Sequence, residues 1–460
     1  MIEKGKKWEM MHANFLASKR KQVLMISNHG MHEWQVIAGL PDTGGQNVFV
    51  NQFSDALAKR GYKITVVNRG GFEHPVHKAV QRGFCYKNDF ERIFYVEDTK
   101  KEFIRKEEMK VQLQELAVSL KNFMASEKSR IDFIISHYWD GAGLGHLFNR
   151  MHNSKYRHFW VPHSLGEIKK RNMNSSLWAG LRIDERIKFE RELLPHLQGI
   201  AATSGLVKKS LEEDYGIEKP LFLPPCIDTN RFKPFSPGPE AKIWFELGKS
   251  LNRPAAEISN CMIITEISRT DGTKRKDLLL RAFARVQREF SSTILVITID
   301  DNDSTLSIEL KELIKFLKIE QNVAVCGSIT RWLPQLYAAT DIYCTPSEME
   351  GFGMSIQEAT ASAVPAVASD LVPFATEYLL GKEYKSIDIK NGSDSSIKIG
   401  EGGIIVPAGN EDGFTLALKI LLQDENLRKK MGENAYNITI PYFTWENMTA
   451  DFLKKAGLNS

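Results

Sequence analysis

The stretch Val23-Leu-Met-Ile-Ser27 offers a strand no polar face, so it must be covered from both sides. A strand of that kind belongs to a parallel sheet with helices packed above and below it. A glycine-containing loop follows, and then Phe49, Phe53, Ala56 and Leu57 fall on one stripe of a helix predicted over 46–60 and stopped by Gly61. The next strand is predicted at 64–67. Further apolar runs at 133–136, 159–161, 200–203 and 221–223 alternate with helical stretches, which is the βαβ rhythm of a doubly wound α/β domain. That rhythm breaks near Leu223-Pro-Pro-Cys-Ile-Asp228, where Pro234, Pro237, Pro239 and Pro254 crowd the segment before a new apolar run at 262–265. It then resumes at 293–299, 323–326, 342–344, 366–368 and 404–406. The chain accordingly divides into 1–228, 229–443 and a closing helical segment, 444–460, expected to pack back on the first domain. Two such domains in series leave a cleft, and ligands of these sheets bind at the carboxyl ends of the strands.

Two domains also suit the length, because 460 residues exceed the roughly 250 to 300 that one core serves. A hydrophobic content of 42% excludes global disorder. The 61 Lys+Arg nearly balance 57 Asp+Glu, and a net charge of +4 is too small to argue for a nucleic-acid or membrane partner from the overall field. Any anion must be held locally. The five cysteines are odd in number and lack C-x-x-C spacing, so neither a disulfide framework nor a zinc site is expected. No apolar run spans a membrane, and the N-terminus has no secretory core, so a reducing cytoplasm is the expected compartment. Trp8, Met10, Met11, Phe15 and Leu16 suggest a short amphipathic helix in a basic leader, and 382–401 reads as a surface insertion.

The residues that carry chemistry cluster after predicted strands. Ser347-Glu-Met-Glu-Gly-Phe-Gly-Met-Ser-Ile-Gln-Glu-Ala359 follows the run at 342–344. With a helix beginning near Met354, Glu358 lies about one turn inside it and Glu350 in the loop before it. Gly351, Gly353 and the helix N-terminus offer backbone N–H groups suited to a phosphate, while the carboxylates suit sugar hydroxyls. Acidic residues placed for the helix dipole are the plain alternative. Arg269 and Lys274 fall in the strand-to-helix loop that opens the second domain, where cations can neutralise a leaving diphosphate. In the first domain, Asp42-Thr-Gly-Gly-Gln46 lies between strand and helix, though it is not a dinucleotide fingerprint. Ser136-His-Tyr-Trp-Asp140 and Val161-Pro-His-Ser-Leu-Gly166 each follow a strand, so His137 and His163 are expected to reach the cleft.

At these residues the chain resembles the family 4 retaining glycosyltransferases of GT-B fold, in the branch of sucrose-phosphate synthase and mannosylfructose-phosphate synthase. The similarity covers nearly all of 22–456. It is carried by Asp42-Thr-Gly-Gly-Gln46, Ser136-His-Tyr-Trp-Asp140, Pro162-His-Ser-Leu-Gly166 with Lys169-Lys-Arg171, Arg186-Ile187 with Glu190, Arg269 with Lys274, and Glu350-x7-Glu358. The resemblance implies two Rossmann-like domains facing each other across a cleft, 1–228 binding the acceptor and 229–443 the nucleotide sugar. By it, Arg269 and Lys274 hold the donor diphosphate with the Gly353, Met354 and Ser355 backbone. Glu358 takes the ribose hydroxyls and Glu350 a hydroxyl of the transferred sugar. Gly44, Gly45 and Gln46, counted with the donor site, close over donor and acceptor, and His163 touches the transferred sugar. His137, Asp140, Lys169, Lys170, Arg171 and Arg186 fall to the acceptor, the basic ones to its anionic group. Base recognition is expected from backbone atoms around 327–329. Many relatives have a Gly-Gly-Pro turn where this chain reads Asp370-Leu-Val-Pro-Phe-Ala375, which leaves the hexose open.

The expected activity is hexosyl transfer, with retention, from a UDP- or GDP-hexose to a hydroxyl of a small phosphorylated sugar, with no cofactor and no metal. Other acceptors, a phosphoglycerate glycoside, a neutral sugar or a glycan, are the alternatives. A hydrolase using Glu350 and Glu358 as its pair would leave Arg269, Lys274 and the glycine loop without work. A nucleotide-sugar-binding protein without catalysis would not need every motif intact.

Overall fold

The computed structural model describes residues 2–37, 40–300, 304–327, 332–389 and 395–458, so the expected base contacts at Ser328 and Ile329 lie outside the described residues. The protein forms two compact units, one of Met1–Pro224 with Trp445–Ser460 and one of Pro225–Thr444.

The first unit is built on an eight-stranded sheet of β1 (Gln22–Ile26), β2 (Lys63–Arg69), β3 (Gly83–Asn88), β4 (Glu91–Val96), β5 (Phe133–His137), β6 (Arg157–Val161), β7 (Gly199–Ala202) and β8 (Leu221–Phe222). Their spatial order is β3-β4-β2-β1-β5-β6-β7-β8, parallel except for the β3–β4 pair. All five residues of β1 and of β5 are buried, as strands covered on both faces require. The helices α1 (Ile2–Ala17), α2 (Gly45–Lys59), α3 (Leu113–Ser126), α4 (Tyr138–Arg150), α5 (Gly166–Asn172) and α6 (Ile183–Leu193) belong to this unit.

The second unit repeats the plan with β9 (Met262–Glu266), β10 (Thr293–Thr298), β11 (Val323–Cys326), β12 (Ile342–Thr345), β13 (Ala366–Ser369), β14 (Lys385–Asp388), β15 (Ser396–Ile399) and β16 (Gly403–Val406), in the order β11-β10-β9-β12-β13-β16-β15-β14. The two-sided burial is explicit in β10. Leu295 and Ile297 join a core with Phe283 and Phe414, while Ile294 and Val296 join the opposite one with Trp244 and Leu247.

One expectation needs correction. Residues 382–401 are not a mere surface insertion, because they supply β14 and β15, which extend the sheet antiparallel beside β16. The helix expected in the leader is α1, where Phe15 is fully buried while Trp8, Met10 and Leu16 are 39%, 58% and 40% exposed.

The closing helix Trp445–Lys455 packs on α2 in the first unit. Trp445 stacks on Phe53 at 5.6 Å, and its indole N–H donates to Gln52 at 3.0 Å. Phe452, fully buried, stands edge-on to Phe53 at 5.6 Å and to Phe159 at 6.0 Å. Truncating it leaves a cavity among rings already at their packing distance. We predict that Phe452→Ala lowers unfolding free energy by about 3 to 5 kcal/mol in urea titration; a loss below about 1 kcal/mol would show that this helix does not anchor the unit.

Candidate functional site

In the second unit the chain runs from β9 outward through β10 and β11, then returns to β12 on the other side of β9. At such a switch point the loops after the two central strands diverge and leave a crevice at their carboxyl ends. Those loops carry Arg269 and Lys274 after β9, and Ser347 to Gly353 after β12. They are tied together, since the Glu348 N–H donates to the Thr273 carbonyl at 2.8 Å. The buried Lys274 ammonium donates to the Met349 carbonyl at 3.1 Å and pairs with the Glu350 carboxylate. Arg269 is exposed and has no ion-pair partner among the described residues. Its charge is available to an incoming anion.

Gly353 precedes the helix Met354–Ala361 with φ of 107°, a left-handed conformation that L side chains rarely adopt. A Cβ there would stand 2.9 Å from both Ile356 Cγ2 and Val372 Cγ1. The glycine thus lets the helix N-terminus open directly onto the loop, with its first N–H groups unpaired within the helix. The Tyr343 hydroxyl lies 2.7 Å from Ser355 Oγ at that terminus. One turn in, Glu358 accepts from the Tyr337 hydroxyl at 3.3 Å. Burial pushes its carboxyl up to about 7, against the opposing pull of Arg231 and of that hydrogen bond.

The first unit has the same kind of switch point between β1 and β5. His29, just after β1, pairs through Nδ1 with Asp140 Oδ1 at 2.8 Å in the first turn of α4, while Asp140 Oδ2 is buried without a partner. Gly30, at φ 74°, meets the Asp42 carbonyl so closely that a Cβ would lie 2.3 Å from it. Only glycine lets the Asp42 loop cross there. That loop is anchored by the Asp42–Lys106 ion pair and by Thr43 Oγ1, which accepts from the Met31 N–H at 2.9 Å. Gly44 and Gly45 then open α2, and the Gln46 amide reaches Ser27 Oγ at 3.3 Å.

His137 ends β5 fully buried, with Nδ1 2.9 Å from His163 Nε2 and its own Nε2 without a partner. It stands behind His163 and does not reach the surface, contrary to expectation. Burial pushes His163 down to about 3, helped by His29, and holds His137 well below the ordinary value. Both rings are neutral at physiological pH.

The basic cluster also differs from expectation. Arg186 is buried, donating through Nε to Glu190 Oε1 at 2.7 Å and through Nη1 to the Tyr138 hydroxyl at 2.6 Å, with Nη2 on the Ser164 carbonyl. Glu190 Oε2 in turn accepts from the Gly166 N–H at 3.0 Å and from Tyr215. This network fastens the 162–166 loop to α6. Lys170 pairs with Asp184 at 2.6 Å, and Arg171 with both oxygens of Asp214 at 2.8 Å. Consecutive residues on one helix diverge by about 100°, so three adjacent cations cannot share a ligand. Lys169 alone turns to the Tyr138 ring, 5.8 Å away, in a pocket shared with Lys110, Tyr138, Arg182 and Arg186.

Sequence reasoning passed over His29, Lys106, Lys110, Tyr138, Arg182, Arg231 and Tyr337. His29 carried a usable signal, since it follows a strand as His137 and His163 do, and Tyr138 lies inside the Ser136-His-Tyr-Trp-Asp140 motif; the others stand in no motif. One further polar group, Glu33 with His74 and His77, has metal-like spacing. His74 Nδ1, however, accepts from the Val76 and His77 N–H groups at 3.2 Å, which puts the ring proton on Nε2, 3.8 Å from Glu33. That nitrogen has no lone pair to offer a cation.

Residues 43–231 match the Glycosyltransferase Family 4 profile and residues 252–438 the profile of Glycosyl transferases group 1. With both profiles matched the protein is a glycosyltransferase, and its two parallel-dominated sheets have the GT-B fold. More narrowly, the chain belongs to the family 4 glycosyltransferases. It is 27% identical over 383 residues to mannosylfructose-phosphate synthase of Agrobacterium fabrum, with 80% of each chain covered. To D-inositol 3-phosphate glycosyltransferase of Kineococcus radiotolerans it is 26% identical over 434 residues, 91% of each. Its fold matches sucrose-phosphate synthase of Thermosynechococcus elongatus at a TM-score of 0.73 and 20% identity, covering 95% of this chain and 98% of that one. It matches Anabaena Alr3699/HepE, solved with UDP and glucose, at 0.68 and 15% identity, covering 95% and 99%.

Glu358 supplies a pH test of the second unit. Its folded-state value lies above the ordinary 4.5, so the folded protein holds more protons than the unfolded chain between about pH 4.5 and 7. The stability it contributes is complete below that window and is lost as pH rises through 7. We predict that wild type loses up to about 3 kcal/mol relative to Glu358→Gln between pH 5 and 8, measured by urea denaturation. A difference that stays flat with pH would refute the burial of this carboxyl.

Proposed function

We propose that the protein is a retaining hexosyltransferase that moves glucose or mannose from a UDP- or GDP-hexose to a hydroxyl of a small phosphorylated sugar. The observation that carries the donor half is the second unit's switch point. There the loop after β9 carries Arg269 and the buried Lys274, Lys274 pairs with Glu350 in the loop after β12, and that loop leads into the helix N-terminus at Gly353, Met354 and Ser355 with Glu358 one turn inside. The cations and N–H groups neutralise a departing diphosphate, and the carboxylates of Glu350 and Glu358 bind hydroxyls of the hexose and the ribose. A diphosphate oxygen reaching Lys274 takes the place Glu350 now holds, freeing that carboxylate for the sugar. Anabaena HepE, solved with UDP and glucose, and the names of the synthases above support this reading.

In the reaction the bond from the anomeric carbon to the diphosphate breaks, and its electron pair leaves with the nucleoside diphosphate. The acceptor hydroxyl bonds to the same face of that carbon and passes its proton to the departing phosphate oxygen. His163, held near pKa 3, is a neutral hydrogen-bonding partner for the hexose and too weak a base to take that proton. Gln46, between Gly44–Gly45 and the body of α2, closes over the ligand, while Asp140 and His137 orient His29 and His163. For the acceptor phosphate, Lys169 is the cation the first unit offers, with Lys110 and Arg182 lining the same pocket. Lys170, Arg171 and Arg186 support that pocket by fixing α5 and its loop. Nucleotide sugars and a chain with no disulfide among its described residues suit a reducing cytoplasm.

Steady-state kinetics with matched phosphorylated and free sugars tests the acceptor assignment. Loss of a charge-assisted contact of about 1.5 to 3 kcal/mol raises KM roughly ten- to hundredfold. We therefore expect Lys169→Glu to raise KM for the phosphorylated acceptor by at least about tenfold, with nucleoside diphosphate affinity unchanged. Equal kcat/KM for free and phosphorylated acceptors in wild type would instead assign a neutral sugar or glycan.

A further inference from the structure

At the amino ends of β1, β2 and β5 lies a pocket of about 410 Å³ that the transfer reaction does not use. Five residues of β1, at about 3.3 Å each, put it roughly 17 Å from the loops at the carboxyl ends. Six cations line it: Lys19, Arg20 and Lys21 ahead of β1, Lys63 at the start of β2, and Lys128 and Arg130 beyond α3. The chain as a whole has only a small charge excess, so this concentration is local.

The two carboxylates in the lining, both of which attract Lys63, offset only part of these six charges. Glu127 gives both oxygens to the buried Arg92 guanidinium, at 2.6 Å to Nη1, and accepts from Ser129 at 2.9 Å. Asp132 Oδ2 accepts from the Gln22 N–H at 2.8 Å. Lys19, Lys21, Lys128 and Arg130 are exposed and make no ion pair among the described residues. Lys63 is buried, its ammonium held by the Phe15 and Ser18 carbonyls at 3.0 Å each, which leaves one N–H for the pocket. Arg20 spends Nη1 on the Ala58 and Tyr62 carbonyls and lies 3.4 Å over the Phe90 ring, which fixes the rest of its guanidinium in place. The ends of α1 and α3 also point here, but a helix C-terminus carries only about half a negative charge, too little to hold six cations.

From this convergence of unpaired cations around two pre-positioned ones, we propose that the pocket is a second anion site, for a phosphate ester or diphosphate group, separate from the site of transfer. The chemistry it selects is a compact group of two or more negative charges, carried by a soluble phosphate ester or by a phospholipid headgroup. Lys63 and Arg20 supply the fixed floor, and the exposed lysines and Arg130 close on the ligand from the rim.

Calorimetric titration with inorganic pyrophosphate at low salt tests this in the full-length protein. In wild type a binding event is expected at this pocket besides those at the transfer site. Lys21→Glu/Lys128→Glu weakens the first by at least about tenfold, and Lys274→Ala weakens binding at the donor site instead. Lys249→Glu/Lys315→Glu, the same charge change on exposed helix positions of the other unit, leaves both in place. Co-sedimentation with phosphatidylcholine vesicles containing phosphatidic acid identifies the source: sedimentation abolished by Lys21→Glu/Lys128→Glu assigns a lipid headgroup, and pyrophosphate binding without sedimentation assigns a soluble ester. Pyrophosphate and vesicle behaviour that Lys21→Glu/Lys128→Glu leaves unchanged, or that the control variant alters equally, would overturn the proposal.

Discussion

A strand buried on both faces has only its two ends at which to place polar groups, and this constraint orders the whole protein. β1, β5 and β12 are buried along their full length, and β9 along all but its first residue. Helices occupy both faces of such sheets, so chemistry collects in the loops at the carboxyl ends, and most densely where neighbouring loops diverge. Both units obey this. In one, the loop after β1 brings His29 to Asp140 in the first turn of α4, directly after β5; in the other, the loops after β9 and β12 bring Lys274 to Glu350.

Within those loops, charges divide into those that hold the structure and those left for ligands. Asp42 with Lys106, and Arg186 with Glu190 and Tyr138, are internal pairs that fix the loops beside the site. Breaking one partner of such a buried pair strands the other charge, so these residues act by positioning. Arg269 and Lys169 have no carboxylate partner among the described residues, and the proposed reaction gives each of them a phosphate to hold. The neutral pair of His137 and His163 adds polarity without charge, because burial makes protonation costly.

Much of this was legible in the amino-acid sequence where the signal is local. Buried strands show as unbroken apolar runs, and a helix opening at Met354 shows from Gly353 and the carboxylates around it. Strands β3, β4, β14 and β15 carry no such signal: β3 and β14 are partly exposed with mixed side chains, β15 alternates over only four residues, and β4, though fully buried, opens on the charged pair Glu91–Arg92. The site residues were read less well wherever a distant partner decides the outcome. Arg171 meets Asp214, 43 positions away, and Arg186 meets Tyr138, 48 positions away. Nothing near Arg171 or Arg186 in the chain distinguishes a cation awaiting a ligand from one already paired. Their neighbour Lys169 differs from Lys170 only in the direction in which α5 aims it.

Proton NMR of the reaction mixture from an α-linked nucleotide hexose and a sugar phosphate tests the account most directly. The account predicts an α-glycoside of the sugar phosphate accumulating in step with free nucleoside diphosphate. Release of free hexose in place of a glycoside, or a glycoside of β configuration, would contradict it.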